Sequence, residues 1–492
     1  MSLIKTLNIL FFIIILILLP FGLSSYEGNK IYYLIFSFIS TYALLTSFQK
    51  NSISFESFFS LLIWLGFWFK FTVQISYLNN LFPEGVGLFD YSANSYDDIL
   101  IVSSVGIVAF IAAKYFRLKF IFNYSNNDLD EFNKTDYLTF YSNNRKIIHF
   151  IYLFLIIFFG CSNFLFVFSQ KGTIPETILP FGLNNFINWL LMFGLASFST
   201  LIIFLEFKFK KKNSNSVVKY GLLETFISAI SILSRAMIFN GVSIIYGFYR
   251  LVEINNIKVK KIKFIKYFMI ILVLFMISLL IVSKIRQSKN FTVGHEVHSY
   301  IPQIDINDVN NDVNNDVNAK SVKIINSFTK ELNQIIFLVA GRWVGVEGVM
   351  AVSANNDLGF TSFLTSFKDE FDYSNSFYEN KIKGSRHIYV NEPKIYTIYV
   401  PGIIAFLFYT KSLIFLFFGI FFLCILCSFV EFFAYKMSKG NVIFSYLIGN
   451  VLAYRLAHFG YLPQNSYKLI LAIFFNIVLM WIVMKIIKSF HS

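Results

Sequence analysis

The sequence predicts an all-α polytopic membrane protein. Three observations carry this: hydrophobic residues make up 56% of the 492-residue chain, charged residues only 14%, and the apolar residues fall in helix-length runs. Soluble globular chains run roughly 45–50% apolar and about 25% charged. The mean hydropathy of +0.62 agrees. A soluble enzyme and a disordered or fibrous chain are both excluded. The 63 Phe and 28 Tyr accompany many Ile, Asn and Lys, as a biased base composition would produce. They are therefore not read as an aromatic binding platform.

A spanning helix needs about 20 mostly apolar residues. Twelve stretches qualify or nearly do: 7–23, 31–48, 57–76, 98–116, 148–169, 179–205, 217–234, 236–250, 267–284, 412–434, 442–459 and 469–487. The first resembles a signal peptide in having Lys5 before its apolar run. The run is long, no small-residue cleavage site follows, and further spans come after, so it reads as a retained helix. Residues 217–250 are too long for one crossing, and Ser234-Arg235 divides them into two short helices meeting at the outer face. In 397–411, Pro401-Gly402 leaves only a short apolar run before Thr410-Lys411-Ser412. That stretch is expected to be re-entrant, since irregular backbone at membrane depth needs protein or water around it.

The net charge of +14 does not point to nucleic acid. Cytoplasmic loops of membrane proteins accumulate Lys and Arg. With the N-terminus inside and twelve spans, 23 of the 42 Lys/Arg fall in inner segments, and only Lys30, Lys171 and Lys468 in short outer ones. A full span at 397–411 would put Lys436, Lys439, Lys485 and Lys488 outside, so the re-entrant reading is preferred. Both termini are then cytoplasmic. The expected organisation is a bundle over 1–284, a large outer loop over 285–396, the re-entrant 397–411, and three spans within 412–492.

The loop holds a low-complexity repeat, Asp308 to Asn318, read as a spacer, because its spacing is not that of an EF-hand. Val322, Ile325, Phe328, Leu332, Ile335, Ile336, Val339, Trp343 and Val346 then recur at helical spacing. This predicts an amphipathic helix over 320–352, lying on the membrane surface or capping the bundle.

Ionisable groups within spans mark candidate sites. Glu56, Lys114, Glu206, Glu224 and Glu431 fall near inner helix ends, where anchoring by snorkelling accounts for them. Lys70, Arg235, Lys411 and Arg455 fall in the outer half or at the outer rim. Only Asp97 and Asp98 lie at a matching depth, too few to pair all four. The loop adds Arg342, Lys383, Arg386 and His387 on the same side. An excess of cations near the outer headgroups points to an anionic ligand, and the forked guanidinium suits phosphate. Glu347, in Gly341-Arg-Trp-Val-Gly-Val-Glu-Gly348, is the most suggestive base among the loop carboxylates; a surface turn is the bland alternative.

Other signals fail. Cys424 and Cys427 are spaced C-x-x-C inside an apolar helix and read as core residues. His295-Glu-Val-His298 is too short for a zinc helix motif. There is no P-loop, no G-x-S-x-G and no G-x-G-x-x-G.

Five stretches together resemble the bacterial Wzy-type oligosaccharide repeat-unit (O-antigen) polymerases, which are related in architecture to the O-antigen ligases. They are Leu65 to Phe71, Leu179 to Trp189, Ser231 to Met237, Gly341 to Gly348 and Val400 to Tyr409. The layout is similar as well: many spans, one large late outer loop, then a few final spans. The resemblance implies a metal-independent glycosyltransferase of the bacterial inner membrane. It would use undecaprenyl-pyrophosphate-linked oligosaccharides, with no cofactor and no nucleotide sugar. Membrane lipids and a chain-length regulator protein are the further partners implied; nucleic acid is not one. Arg235 and Arg342 match basic positions expected at the donor pyrophosphate, and with Glu347 they form the expected catalytic set. Lys70, Arg386, His387, Lys411, Arg455 and His458 form the expected substrate-binding set. A ligase shares the donor and differs in the acceptor. A flippase would need polar groups through both leaflets and an internal repeat.

Overall fold

The computed structural model describes residues 3–49, 51–78, 80, 82, 85–122, 124, 136–171, 175–210, 216–255, 261–291, 340–341, 343–368, 376–383, 400–460 and 463–489. Among them the chain is all helix. Eight helices are long and apolar enough to cross a membrane: Thr6–Ser25, Ser54–Tyr77, Ala93–Phe120, Leu138–Phe166, Pro180–Phe209, Ile265–Val282, Leu413–Met437 and Ser466–Ile487. The chain is thus an all-α, multi-pass membrane protein, with eight candidate spans among the described residues.

The other four expected stretches are helical but shorter or more polar. They are Lys30–Ser47, diluted by Lys, Ser, Thr and Tyr; Leu223–Ser231, which continues a π turn at Val217–Leu222; Ile238–Ile254; and Val442–Ala457. The break between the second and third of these falls at Ser234-Arg235. Leu233 there has a left-handed φ of 55°, and Arg235–Met237 form one 3-10 turn. The break at 397–411 is also visible over its described part. Gly402 (φ 81°) starts the five-residue helix Ile403–Leu407, and a 3-10 turn follows to Thr410. Ile403 to Tyr409 are buried.

We number the elements used below: α1 Leu3–Ser25, α2 Lys30–Ser47, α3 Ser54–Tyr77, α4 Ala93–Phe120, α5 Asp136–Phe166, α6 Pro180–Phe209, α7 Leu223–Ser231, α8 Ile238–Ile254, α9 Lys261–Phe291, α10 Val346–Ala354, α11 Phe360–Ser366, α12 Ile403–Leu407, α13 Leu413–Met437, α14 Val442–Ala457 and α15 Ser466–Ser489. The helix α9 runs to Phe291, seven residues into the expected loop. Lys, Arg and Gln are good helix formers and extend it past its apolar stretch.

The core is built around α3 and α14, which pack against each other and against α8 and α13. Hydrogen bonds set helix directions. Ser57 donates to the Ser47 carbonyl, Trp68 Nε1 to Ser37 Oγ at 2.8 Å, and the Thr72 and Tyr33 hydroxyls lie 2.8 Å apart, so α2 and α3 run antiparallel. By contrast α1, α5, α9, α13 and α15 expose rows of Phe, Ile and Leu, such as Phe150, Ile151 and Phe154 on α5. A face that apolar belongs against lipid.

Carboxylates expected to snorkel are instead buried and matched at one end of the bundle. Arg117 of α4 grips Glu56 of α3 with two parallel bonds, Nε to Oε1 at 2.9 Å and Nη2 to Oε2 at 2.6 Å. Glu206 of α6 accepts from Tyr141 at 2.7 Å and pairs with Arg145 and His149 of α5. Glu431 of α13 takes the first N–H groups of α3, Ser54 at 2.9 Å and Phe55 at 2.7 Å, and the Tyr124 hydroxyl at 2.6 Å. A carboxylate at a helix N-terminus satisfies orphan donors and meets the positive end of the helix dipole. Gly449 of α14 makes room for it, since a Cβ there would sit 2.2 Å from Glu431 Oε2. Glu224 accepts from Ser228, and Lys114 Nζ reaches Ser47 Oγ at 3.5 Å. Snorkelling fails as an account of these five because all are buried, and other segments supply the partners of Glu56 (α4), Lys114 (α2), Glu206 (α5) and Glu431 (the start of α3 and Tyr124).

Candidate functional site

The opposite end of the bundle is assembled from five chain segments: the middle of α3, the end of α14, the start of α6, the α7–α8 junction, and the turn before α10. Two π turns sit among them. Such turns insert one extra residue into a helix and recur at functional sites.

The first π turn, Trp64–Phe69, lies in the middle of α3. It brings Gly66 against Gly345, so closely that a Cβ on either residue would fall 2.1 Å from backbone of the facing segment. The next residue along α3, Lys70, donates to the Trp343 carbonyl at 2.8 Å and pairs with Glu347 Oε1 at 2.5 Å. Lys70 is 0% exposed and Glu347 1%. This corrects two expectations. Lys70 does have a carboxylate partner, supplied by a segment distant in sequence. Glu347 is on no surface turn; it is buried in the first turn of α10. The segment also departs from the expected continuous helix over 320–352. Residues 320–339 lie outside the described residues, and a break precedes Val346, because Gly341 and Gly345 interrupt the helix. The helix α10 is buried along Val346 to Val352 rather than laid on a membrane surface.

At the other end of α10, Lys411 Nζ donates to the Val352 and Ser353 carbonyls at 2.6 and 2.9 Å. A lysine there caps orphan carbonyls and complements the helix dipole. Burial lowers the Lys411 pKa, and the Asp98 charge opposes that in part. Asp97 is occupied elsewhere, accepting from Tyr26 at 2.6 Å and from the Asn29 N–H at 2.9 Å.

Arg455 and His458 stand at the C-terminus of α14. The His458 ring stacks on Tyr454, centroids 4.0 Å apart, and its Nδ1 lies 2.9 Å from the Tyr454 carbonyl, so that nitrogen is the donor. Tyr454 meets Phe239 at 6.0 Å, and Phe239 meets Trp343 at 6.3 Å. Arg455 Nη2 lies 3.6 Å from Met192 Sδ. Met192 belongs to the second π turn, Leu190–Gly194, and Asn240 Nδ2 donates to its carbonyl at 2.8 Å. Among the described residues no carboxylate lies within 4.0 Å of Arg455.

One cation was not singled out from the sequence. Lys171 sits in the loop after α5, and its backbone N–H donates to the Ile232 carbonyl at 2.8 Å, one residue past α7. Asn163 fastens the same loop, donating to the carbonyls of Ser169 and Ser231. Burial pushes the Lys171 ammonium down to about 8, and the neighbouring Arg455 charge acts in the same direction. A lone lysine in a short loop carries no sequence signal of this kind. Only the fold of that loop onto the end of α7 brings it near Arg455.

The structure therefore brings together Arg455, His458, Lys171 and the aromatic chain Trp343–Phe239–Tyr454. It also places the backbone of Arg235 four residues before Phe239. Arg342, Arg386 and His387 lie outside the described residues, as do the repeat at 308–318, His295 and His298. Among the described residues no three His, Cys, Asp or Glu side chains form a metal-ligand set. Cys424 and Cys427 are buried free thiols on α13. Comparison with family models, with curated proteins and with solved structures finds nothing that matches this chain.

Proposed function

We propose that the chain joins oligosaccharide repeat units carried on undecaprenyl pyrophosphate, at the outer face of a bacterial cytoplasmic membrane. One observation carries most of this reading: Arg455, with no carboxylate within 4.0 Å among the described residues, stands at the end of the bundle where the α7–α8 junction bearing Arg235 and the Trp343 segment following Arg342 also meet. A guanidinium with no carboxylate beside it in a partly apolar site favours an anion there. A lipid-linked pyrophosphate has the charge, the depth and an apolar tail for clefts between helices.

In this reading the acceptor hydroxyl attacks the anomeric carbon of the donor sugar. The new glycosidic C–O bond forms as the bond to the pyrophosphate breaks. The electron pair leaves with the pyrophosphate, and the hydroxyl proton passes to a base or to the departing phosphate oxygen. The work left to the protein is to orient the two substrates and to hold fixed positive charge where negative charge grows. Arg235, Arg342 and Arg455 are assigned to the pyrophosphate, and Lys171 joins them. His458, Arg386 and His387 are assigned to the substrate as well.

The proposal includes topology. Twelve crossings, with the four short helices counted as spans and 397–411 entering and leaving on the outer face, put Lys436, Lys439 and both termini inside. A reporter fused after Gly440 is expected to behave as cytoplasmic. External behaviour would make 397–411 a crossing and turn the C-terminus outward.

The chemical test uses Arg235→Ala and Arg342→Ala. Each is expected to abolish surface polymer at normal protein level, leaving single repeat units. Arg→Lys should restore only part, since the ammonium keeps the charge and loses the two-pronged geometry. A charge-assisted bond contributes about 1.5–3 kcal/mol, and one realised only in the transition state changes the rate by about 10- to 150-fold. Near-normal polymer in both alanine strains would sink the assignment. Accumulated lipid-linked polymer with none attached would mean a ligase instead.

A further inference from the structure

The sequence placed Glu347 in the chemistry and Lys70 at the substrate. Their surroundings argue for a different part. Both are buried, and both face one another rather than the cluster around Arg455. We infer that Lys70 and Glu347 are positioning residues, whose buried ion pair holds the Trp343–Gly345 turn against α3 and thereby sets Trp343 on Phe239, which in turn meets Tyr454.

Five observations support this. Lys70 contacts both halves of the turn's exit, the Trp343 carbonyl at 2.8 Å and the Glu347 carboxylate at 2.5 Å. The π turn in α3 lets Gly66 and Gly345 approach, so the turn is held by backbone contact one helical turn before Lys70. The helix α10 has nine residues, too few to be stable without tertiary contacts. Its far end is tied by Lys411. Gly348 adds a third close approach, since a Cβ there would sit 2.0 Å from the Pro401 carbonyl. A buried ion pair is a poor source of stability compared with apolar packing, and its best-attested use is to specify one arrangement. Here that arrangement brings Trp343, the neighbour of Arg342 in the chain, to the ring of Phe239.

The test measures position and activity separately. A full-length chain with its three native cysteines replaced by serine carries Phe239→Cys and Trp343→Cys and a protease site within 308–318. A short bifunctional thiol reagent applied to membranes should hold the two halves together after cleavage. Adding Lys70→Ala or Glu347→Ala should lower the joined fraction about tenfold or more, because the buried pair that ties the turn to α3 is broken. Two compensated pairs should retain it: Lys70→Gln with Glu347→Gln, and Lys70→Glu with Glu347→Lys. Polymer is then scored in chains that keep Phe239 and Trp343. It should fall with the single variants and return with either compensated pair. Full cross-linking in both single variants overturns the inference. So does a compensated pair that cross-links normally yet makes no polymer, since a charge of fixed sign would then be acting on substrate. The activity arm rests on the polymerase reading. Should Arg235→Ala and Arg342→Ala both make normal polymer, that reading fails while the cross-linking result still decides the positioning role.

Discussion

At the end of the bundle that holds Glu56, Glu206 and Glu431, buried carboxylates meet Arg117, Arg145, Tyr141, Tyr124 and two helix N–H groups. At the end that holds Arg455, no carboxylate among the described residues lies within 4.0 Å of the guanidinium, and its charge helps to lower the pKa of Lys171. Both sets are costly to bury. The first has its compensation within the fold, so removing a member should damage the fold. At the second, Arg455 has no carboxylate within 4.0 Å among the described residues, so in the proposed reading removing it should damage binding and spare the fold.

The largest expected effect separates the two ends directly. Arg117→Ala leaves the Glu56 carboxylate buried without its guanidinium, a loss of about 3–5 kcal/mol for a broken buried pair. It is expected to reduce the amount of inserted protein sharply. Arg455→Ala should leave that amount unchanged and lower polymer. Immunoblots of membranes beside polymer gels read both, and the comparison breaks if Arg455→Ala is the variant that disappears.

A smaller effect sharpens the matched end alone. Gly449→Ala drives a methyl to within 2.2 Å of Glu431 Oε2 and 2.7 Å of the Phe55 nitrogen. Overpacking of this kind costs about 1–3 kcal/mol, to be seen as a lowered thermal midpoint in detergent. An unchanged midpoint would mean that the Glu431 cap is loose.

The smallest effect concerns pH at the cationic end. The Lys171 pKa is depressed to about 8, so its charge is present below that value and lost as pH rises through it. The folded chain holds fewer protons than the unfolded one between about pH 8 and the ordinary lysine range, so the fold gains slightly as pH rises there. Binding of an anion runs the opposite way and weakens. Polymer synthesis in isolated membranes should therefore decline above about pH 8. Lys171→Arg should flatten the decline, because a guanidinium stays charged. An identical decline in wild type and Lys171→Arg would detach Lys171 from the site.

Much of this was legible in residue order, and the failures have physical causes. Helix positions follow from apolar runs, and the interruptions at Ser234-Arg235 and Pro401-Gly402 follow from the residues themselves. Whether a run crosses a membrane is harder to read where Ser, Thr, Tyr and Lys dilute it, as in α2. Partners were the real gap. Lys70 and Glu347 are 277 positions apart, and Glu431 meets Ser54 from 377 positions away. Spacing rules work within one element and are blind at that range. Counting carboxylates by depth missed Glu347 because it was read as part of a surface loop. The expectation of anchoring for Glu206 and Glu431 failed similarly: a helix end faces lipid headgroups only if no neighbouring helix ends beside it.

The π turn at Trp64–Phe69 implies a register that tolerates no change in length. An α-helix turns about 100° per residue. Deleting a single residue between Trp64 and Phe69 would leave a regular, fully hydrogen-bonded helix with its apolar character intact. It would also swing Lys70 about a quarter turn away from Glu347 and carry Thr72 off Tyr33. Homologues that share this geometry should show no gaps across 64–70, even where the side chains themselves have drifted.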